Sequence, residues 1–344
     1  MALSSWRRLL GTGAAVLVLS AGLSHLVAAA LGVAYASVGR LSVQPDRRGP
    51  PIAVLGSSLT LYGLDHEALA TALGRPVTAL FVPSGSPAEL ETLQAEVAAA
   101  STTVVGVSIY DMNELVLADR RPELVPLGRA MADLWETGAD WPFAKRVLGQ
   151  YVLHATARAF PTAGKSDLVM VGIRRVARDL AGRRSSVRSV AAPPLDGAVA
   201  PPAVAFDPRA VPDRERTLEE WPLEERLRSV ANYRASGREQ HAFRGPKSLA
   251  LRRLASATAA RGEVVVVVFP VSLTYAREFL DAAATARLEQ ELDSLARAVP
   301  AVAVLRLDRD PALRSDRAFR DLVHLGSDGR RRATEALAAL LLGR

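Results

Sequence analysis

Beyond residue 50, short apolar runs alternate with longer segments in which apolar and polar residues are mixed. Each run is four to seven residues long, apolar throughout or nearly so, and ends near a glycine, serine, proline or charged residue, as buried strands do. The predicted strands lie at residues 52–55, 77–82, 103–109, 263–269 and 301–307. The predicted helices lie at residues 65–73, 86–100, 247–260, 276–298 and 327–342. This alternation predicts an α/β domain with a parallel sheet that helices cover on both faces.

The pattern changes between about residues 119 and 246. Helices are predicted at 122–160 and 166–182, and the chain then becomes irregular around two Pro-Pro pairs. Because the strands on either side belong to one sheet, this stretch is interpreted as an insertion within a single domain that spans residues 51–344. Residues 41–50, which contain proline, arginine and glycine, are interpreted as a linker that precedes this domain.

An uncharged apolar stretch precedes the linker. Residues 9–39 contain no Asp, Glu, Lys or Arg, and about 20 apolar residues suffice to cross a bilayer. Because two arginines stand before it, residues 1–40 are predicted to form a cytoplasmic stub and an uncleaved transmembrane helix at about 9–36, with the rest of the chain outside the cytoplasm. The alternatives are a signal peptide, for which Ala34-Tyr35-Ala36 offers a cleavage site, and a buried helix of a soluble protein.

Composition narrows the function further. Hydrophobic residues make up 49% of the chain, enough for a sizeable core, and the absence of cysteine excludes disulfides, thiolate metal sites and a cysteine nucleophile. The net charge is +7, and all but three of the 43 basic residues are arginine, which is typical either of a GC-rich genome or of attraction to anionic envelope polymers and membranes. Aromatic residues are only 5% and do not interleave with basic stretches, which argues against nucleic-acid binding.

Two short motifs fall where a parallel sheet presents its ligand site, at the carboxyl ends of the strands. Gly56-Ser57-Ser58 follows the first predicted strand, and Asp321-Leu322-Val323-His324 precedes the last predicted helix. A serine hydroxyl becomes a nucleophile when a neutral imidazole takes its proton, and a carboxylate on the other ring nitrogen orients that imidazole. Each motif is common by itself, but together they predict a catalytic triad of Ser58, Asp321 and His324.

Acyl transfer also needs hydrogen-bond donors for the oxyanion of the tetrahedral intermediate. Gly85 follows the second predicted strand and has no Cβ, so its backbone N–H can approach a substrate closely. Asn113 follows the third predicted strand and has a side-chain amide to donate. The N–H groups of both residues are predicted to converge near the Ser58 hydroxyl.

These motifs resemble the blocks of the SGNH/GDSL hydrolases, and they occur in the order of that family. Gly56-Ser57-Ser58 resembles the first block, Gly85 the second, Asn113 the third and Asp321-Leu322-Val323-His324 the fifth. The resemblance covers about residues 51–115 and 262–342 and does not extend to the insertion. It implies a three-layer α/β/α domain of the flavodoxin-like type.

The resemblance also implies roles for individual residues. Ser58, Asp321 and His324 would be the catalytic triad, and Ser58, Gly85 and Asn113 would form the oxyanion hole. Two positions depart from the family pattern, because Ser57 replaces the aspartate of the usual Gly-Asp-Ser and Asp111 replaces a glycine of the third block. Similar Gly-Ser-Ser versions occur in membrane-tethered envelope members, of the D-alanine transfer and alginate O-acetylation types.

Together, the resemblance and the predicted anchor imply a serine esterase or O-acyltransferase that acts on acyl esters of cell-envelope glycans or lipids. The implied partners are the acylated glycan or lipid, the membrane and a membrane-bound acyl donor protein, whereas no cofactor, metal or nucleic acid is implied. The alternative is a non-catalytic accessory or scaffold protein of the envelope that retains the fold.

The remaining candidate side chains have simpler interpretations. Ser57 is an alternative nucleophile, and Asp316 and Asp328 are alternative partners of His324, although neither stands three residues before it. Residues 168–188 combine apolar and arginine positions, which is typical of a helix that lies either on an anionic membrane or on a protein core. Three further histidines lack a partner at metal-ligand spacing: His66, His154 and His241.

Overall fold

The computed structural model describes residues 17–27, 38–45, 49–116, 121–160, 216–235 and 240–343. The chain divides into two compact units, of which one combines residues 1–36 with 148–207 and the other combines residues 37–147 with 208–344. In the first unit, the described residues 17–27 and 148–159 are helical. The second unit contains the sheet and all of the predicted site residues.

Six strands form a single sheet, and the five strands predicted from the sequence are among them. Their bounds are Gly39–Val43 (β1), Ile52–Gly56 (β2), Val77–Phe81 (β3), Thr102–Ser108 (β4), Glu263–Phe269 (β5) and Val302–Arg306 (β6). The strand order is β1-β3-β2-β4-β5-β6, in which β2 to β6 run parallel and β1 pairs antiparallel with β3. Every residue of β2 and β4 is buried, and because successive side chains point to opposite faces, both faces are covered there. The predicted α/β class, with a mostly parallel sheet flanked by helices, is confirmed.

The edge strand β1 corrects the sequence interpretation, because residues 41–43 fall in the predicted linker. Its register pairs Gly39 with Phe81 and Val43 with Val77. The side chains of β1 alternate between partly buried and exposed, so only one of its faces packs against the core. A short strand that is buried on only one face is hard to distinguish in the sequence from the arginines and prolines that follow it. The structure shows that the assignment of residues 41–43 to a linker is wrong.

Helices flank the sheet and fill the connections between its strands. In chain order, the α-helices of the described part are residues 17–27 (α1), Ser58–Gly63 (α2), His66–Leu73 (α3), Pro87–Glu91 (α4), Ile109–Met112 (α5), Arg121–Leu124 (α6), Leu127–Glu136 (α7), Trp141–Ala159 (α8), Leu223–Ala235 (α9), Pro246–Ala259 (α10), Leu273–Phe279 (α11), Ala282–Ala298 (α12) and Ser327–Leu342 (α13). Short 3-10 turns lie at Leu218–Glu220, Leu307–Arg309, Pro311–Leu313 and Asp316–Ala318. Helix α13 packs against α2 and α3, and helix α10 packs against α4 and α12.

The helix predicted at 86–100 is shorter than expected. It begins as predicted, because the Glu89 carboxylate accepts a hydrogen bond from the Ser86 backbone N–H at 2.8 Å. It ends at Glu91, where the hydroxyl of Thr92 donates to the carbonyl of Glu89 at 2.7 Å. Such a local hydrogen bond competes with the helical one, so the following residues form turns instead.

Two other predicted helices are interrupted, and one helix of the structure was not predicted from the sequence. The helix predicted at 276–298 breaks at Asp281, whose carboxylate caps the start of α12. The helix predicted at 122–160 consists of α6, α7 and α8, with Gly138 in the left-handed region between the last two. Helix α9 was not predicted, because it follows the Pro-Pro pairs and lies in a stretch that was interpreted as irregular.

Two glycines allow α2 to lie directly on the sheet. A Cβ added to Gly56 would lie 2.0 Å from Oγ1 of Thr60, and one added to Gly106 would lie 2.1 Å from the same atom. Since no side chain fits at these distances, the bare backbone of β2 and β4 is what admits the buried Thr60 between them. The helix, which begins at Ser58, is thereby held at the carboxyl end of β2.

Within the described ranges, no helix is both long enough and apolar enough to cross a bilayer. Of the predicted membrane segment at 9–36, residues 17–27 are described and the others lie outside the described residues. The helix predicted at 166–182 and both Pro-Pro pairs also lie outside them.

Candidate active site

The nucleophile candidate stands in the tight turn between β2 and α2. Ser57 is only 1% exposed, and its hydroxyl oxygen accepts a hydrogen bond from the backbone N–H of Leu59 at 3.2 Å, which caps the helix. Ser58 is the first residue of that helix. Because β3 lies on one side of β2 and β5 lies beyond β4 on the other, the connections leaving β2 and β4 run in opposite directions, and parallel sheets open a crevice for ligands at such a point.

The loop before α13 brings His324 to Ser58. The Oγ of Ser58 lies 3.0 Å from Nε2 of His324, although the two residues are 266 positions apart in the chain. On the other side of the ring, Nδ1 of His324 lies 2.8 Å from Oδ2 of Asp321. The three residues that the sequence predicted as a triad therefore form one continuous hydrogen-bonded series.

The charge of Asp321 fixes the direction of these hydrogen bonds. Burial raises the pKa of Asp321, but hydrogen bonds from the His324 ring and from the backbone N–H groups of His324 and Val323 outweigh it and hold the pKa below its ordinary value. An ionised carboxylate accepts the Nδ1 proton of a neutral imidazole. The unprotonated Nε2 then faces the hydroxyl of Ser58, as a general base requires.

No protein-family model matches the chain, and no curated protein matches it. The function is therefore inferred from the residues of the site and from their geometry.

Backbone hydrogen bonds hold the loop that carries Asp321 and His324. The Oδ1 of Asp321 accepts from the backbone N–H groups of Val323 at 2.9 Å and His324 at 2.8 Å. Phe319 and Leu325 form an isolated antiparallel bridge that closes the loop. The Asp-x-x-His spacing is thus structural as well as chemical, because one oxygen of the carboxylate shapes the turn while the other orients the imidazole.

Two further side chains adjoin the triad, and sequence reasoning did not single them out. The ring of Tyr62 meets the His324 ring edge to face, with centroids 5.3 Å apart. The guanidinium of Arg320 lies 3.7 Å above the Tyr62 ring. The spacing in the sequence could have identified Tyr62, because this residue stands one helical turn after Ser58 and therefore on the same side of α2. The two side chains pack one side of the imidazole.

Two of the three predicted oxyanion donors are engaged in other hydrogen bonds in this structure. The backbone N–H of Gly85 donates to the carbonyl of Val82 at 2.8 Å. The fully buried side chain of Asn113 donates to the carbonyl of Gln240 at 2.8 Å, and its oxygen accepts from the backbone N–H of Ala242 at 3.0 Å. Asn113 therefore fastens the chain segment before α10. The third predicted donor, the N–H of Ser58, belongs to the first turn of a helix, where backbone donors have no partner within the helix.

The alternative partners of His324 are occupied elsewhere. Asp316 accepts from both the backbone N–H and the hydroxyl of Thr274, and Asp328 lies 3.5 Å from Arg331. Burial lowers the pKa of His66 to about 4, so this histidine is a neutral side chain of the interior. In the described part of the chain, no three His, Asp or Glu side chains are grouped so as to hold a metal ion.

Proposed function

We propose that the chain is a serine hydrolase or acyltransferase of the SGNH type, which cleaves an ester through an acyl-Ser58 intermediate. The observation that carries this proposal is the hydrogen-bonded series from Ser58 through His324 to Asp321, with distances of 3.0 and 2.8 Å. The strand order supports it, because β3-β2-β4-β5-β6 corresponds to the 2-1-3-4-5 order of flavodoxin-like sheets. Ser58 stands at the point of that order where ligands bind.

The proposed reaction has two halves. In the first, Oγ of Ser58 attacks the ester carbonyl carbon while its proton moves to Nε2 of His324. The tetrahedral intermediate collapses, the bond to the leaving alcohol breaks, and His324 returns the proton to the alcohol oxygen. In the second, an acceptor hydroxyl gives its proton to His324 and attacks the acyl group, and Ser58 leaves and recovers the proton. Water as the acceptor makes the protein an esterase, and a sugar hydroxyl makes it an O-acyltransferase.

Stabilisation of the oxyanion is assigned to the backbone N–H of Ser58, together with Gly85 and Asn113. Ser58 supplies the donor that moves least, because it belongs to the same residue as the nucleophile. Gly85 and Asn113 contribute only by exchanging the hydrogen bonds that they make to Val82 and Gln240. This exchange would take place when the substrate binds. Catalytic hydrogen bonds often form fully only in the substrate complex or in the transition state.

The direct test uses the full chain in detergent, with a fluorophosphonate probe and with p-nitrophenyl acetate. We expect a covalent adduct on Ser58, located by peptide mass spectrometry, and a burst of p-nitrophenol followed by slower turnover. An acyl-acceptor glycan added to the assay separates transfer from hydrolysis. A folded protein that reacts with neither reagent would favour the non-catalytic accessory protein instead.

The proposed substrates are acyl esters of cell-envelope glycans or lipids, with a membrane-bound acyl donor protein as a partner. Two features support a location of the protein in the cell envelope. They are the Gly-Ser-Ser form of the nucleophile turn and the uncharged residues 9–39. We expect the full-length protein in the membrane fraction, and protease added to spheroplasts should digest its large domain. A mature protein that begins near Ser37 and is released with the soluble envelope proteins would instead identify the segment as a signal peptide.

A further inference from the structure

An arginine lies beside the catalytic triad, and the proposed reaction does not use it. Arg320 stands directly before Asp321, and its Nε lies 3.9 Å from Oδ2 of that carboxylate. The exposed fraction of the side chain is 19% for Arg320 and 30% for Asp321, so solvent reaches both groups. Because a guanidinium stays protonated at physiological pH, Arg320 brings a permanent positive charge to a side of the triad that solvent can reach.

The loop that carries Asp321 and His324 also fixes Arg320. The backbone N–H of Arg320 donates to the carbonyl of His324 at 3.0 Å, inside the loop that the Phe319–Leu325 bridge closes. The Cζ of Arg320 lies 3.7 Å from the centroid of the Tyr62 ring, and that ring contacts the imidazole of His324. The guanidinium, the phenol ring and the imidazole therefore form one packed group, which defines the position of the charge.

The contact with Tyr62 leaves Arg320 able to bind an anion. A guanidinium stacks on a ring through its planar face, whereas its five N–H groups point outward in the plane, so stacking does not consume them. The distance of 3.9 Å from Nε to Asp321 is too long for a hydrogen bond, since N–H···O bonds rarely exceed about 3.2 Å. Because the ring already holds the guanidinium in place, less conformational entropy is lost when the group binds a ligand.

A positive charge beside Asp321 favours an anionic substrate over a neutral one. Burial raises the pKa of Asp321, but the hydrogen bonds that it accepts hold the pKa below its ordinary value, so the carboxylate is ionised at neutral pH. Its negative charge would repel an anion that approached Ser58. Arg320 offsets this repulsion and offers the anion a partner of opposite charge. A neutral ester has no charge on which Arg320 or Asp321 could act in this way.

We propose that Arg320 is a specificity-determining residue, which binds a carboxylate or phosphate of the substrate while Ser58 attacks the acyl group of the same molecule. Arginine suits this role because its planar fork can donate two parallel hydrogen bonds to either anion. The inference rests on the proposed function, because it needs Ser58 to be the nucleophile. It narrows the substrate class to esters that carry an anionic group close to the acylated oxygen.

The test compares two esters that differ by one charge, 4-acetoxybenzoate and its methyl ester, on the full chain in an uncharged detergent at neutral pH. Both transfer an acetyl group from a phenol to Ser58. Because the two phenols differ as leaving groups, the preference is defined as the ratio of the two kcat/KM values and is compared between the wild type and its variants. The wild-type preference for the anion should fall as salt is added, because Arg320 is partly exposed.

The decisive variant is R320M, which removes the charge and keeps an unbranched side chain that can pack on Tyr62. R320M should lose about ten times more kcat/KM on the anion than on the methyl ester, as for the loss of a hydrogen bond to a charged group, and the difference should lie mainly in KM. R320K keeps the charge without the planar fork, so it should retain part of the preference.

The matched control is R317M, which changes the net charge by the same amount. Arg317 is exposed and stands three residues before Arg320, so R317M should keep the wild-type preference. Two competing anions then identify the kind of group that Arg320 binds. Glucuronate carries a sugar carboxylate, and glycerol 3-phosphate carries a phosphate like that of a lipid headgroup. The stronger inhibitor of p-nitrophenyl acetate turnover indicates the source, and its inhibition should weaken in R320M and not in R317M.

Two results would overturn the inference. Equal losses on the two esters in R320M would show that Arg320 only packs Tyr62 against the imidazole. Equal changes of preference in R317M and R320M would show that the net charge of the surface selects the anion. If R320M fails to fold, R320Q takes its place, because glutamine keeps a planar polar end without the charge. Failure of the proposed function is distinct, because the wild type would then hydrolyse neither ester, or S58A would hydrolyse both as fast as the wild type.

Discussion

Replacing Ser58 by alanine should abolish covalent labelling and lower the turnover of p-nitrophenyl acetate by roughly 10⁴- to 10⁶-fold, as removal of a serine nucleophile does in other hydrolases. The hydroxyl of Ser58 is the group that faces Nε2 of His324, and alanine leaves the imidazole with no proton to take. The substitution removes one oxygen atom from a half-buried position. The thermal unfolding temperature should therefore stay close to that of the wild type.

Two control variants make this result specific to Ser58. Ser294, on α12, accepts a hydrogen bond from Arg252, and S294A should be labelled at the wild-type rate. S57A should still be labelled on Ser58, although more slowly. Labelling that survives in S58A and disappears in S57A would instead identify Ser57 as the nucleophile.

Replacing Asp321 by asparagine should lower kcat by about 10⁴-fold and leave the fold intact, because the wrong tautomer of the histidine is then favoured. The Oδ1 of an asparagine can still accept the backbone N–H groups of Val323 and His324, so the loop should keep its shape. The side-chain NH₂ would face Nδ1 of His324 and donate to it. The ring proton would then lie on Nε2, which could no longer accept the proton of Ser58.

Steady-state kinetics of D321N, alongside its thermal unfolding curve, tests this expectation. The matched control is D316N, because Asp316 lies on the same stretch of chain and bonds to Thr274. A loss in D316N as large as that in D321N would show that the carboxylate acts on the loop and not on the imidazole. A D321N protein of normal activity would contradict the assigned role of Asp321.

The sequence predicted most of the sheet because its inner strands are buried on both faces. The five consecutive valines of β5 have no competing interpretation, and the motifs at the ends of β2 and before α13 could be placed relative to them. The edge strand β1 could not be recognised, since a strand covered on one face needs few apolar residues. Helix α9 could not be recognised either, because it is largely polar and lies beyond a proline-rich stretch.

The sequence predicted hydrogen-bond partners of side chains only where the chemistry of a proposed role requires a particular partner. The triad follows from the need of a serine for a base and of the base for a carboxylate. The hydrogen bonds of Asn113 to Gln240 and Ala242 depend on how the insertion returns to the sheet, and no local pattern encodes that path.

The direction of β1 determines at which end of the sheet the chain enters it. Gly39 pairs with Phe81, and Phe81 also pairs with Gly56, so the chain joins the sheet at the edge where Ser58 stands. The chain therefore enters the sheet beside the carboxyl ends of β2 and β3, and not at their opposite ends.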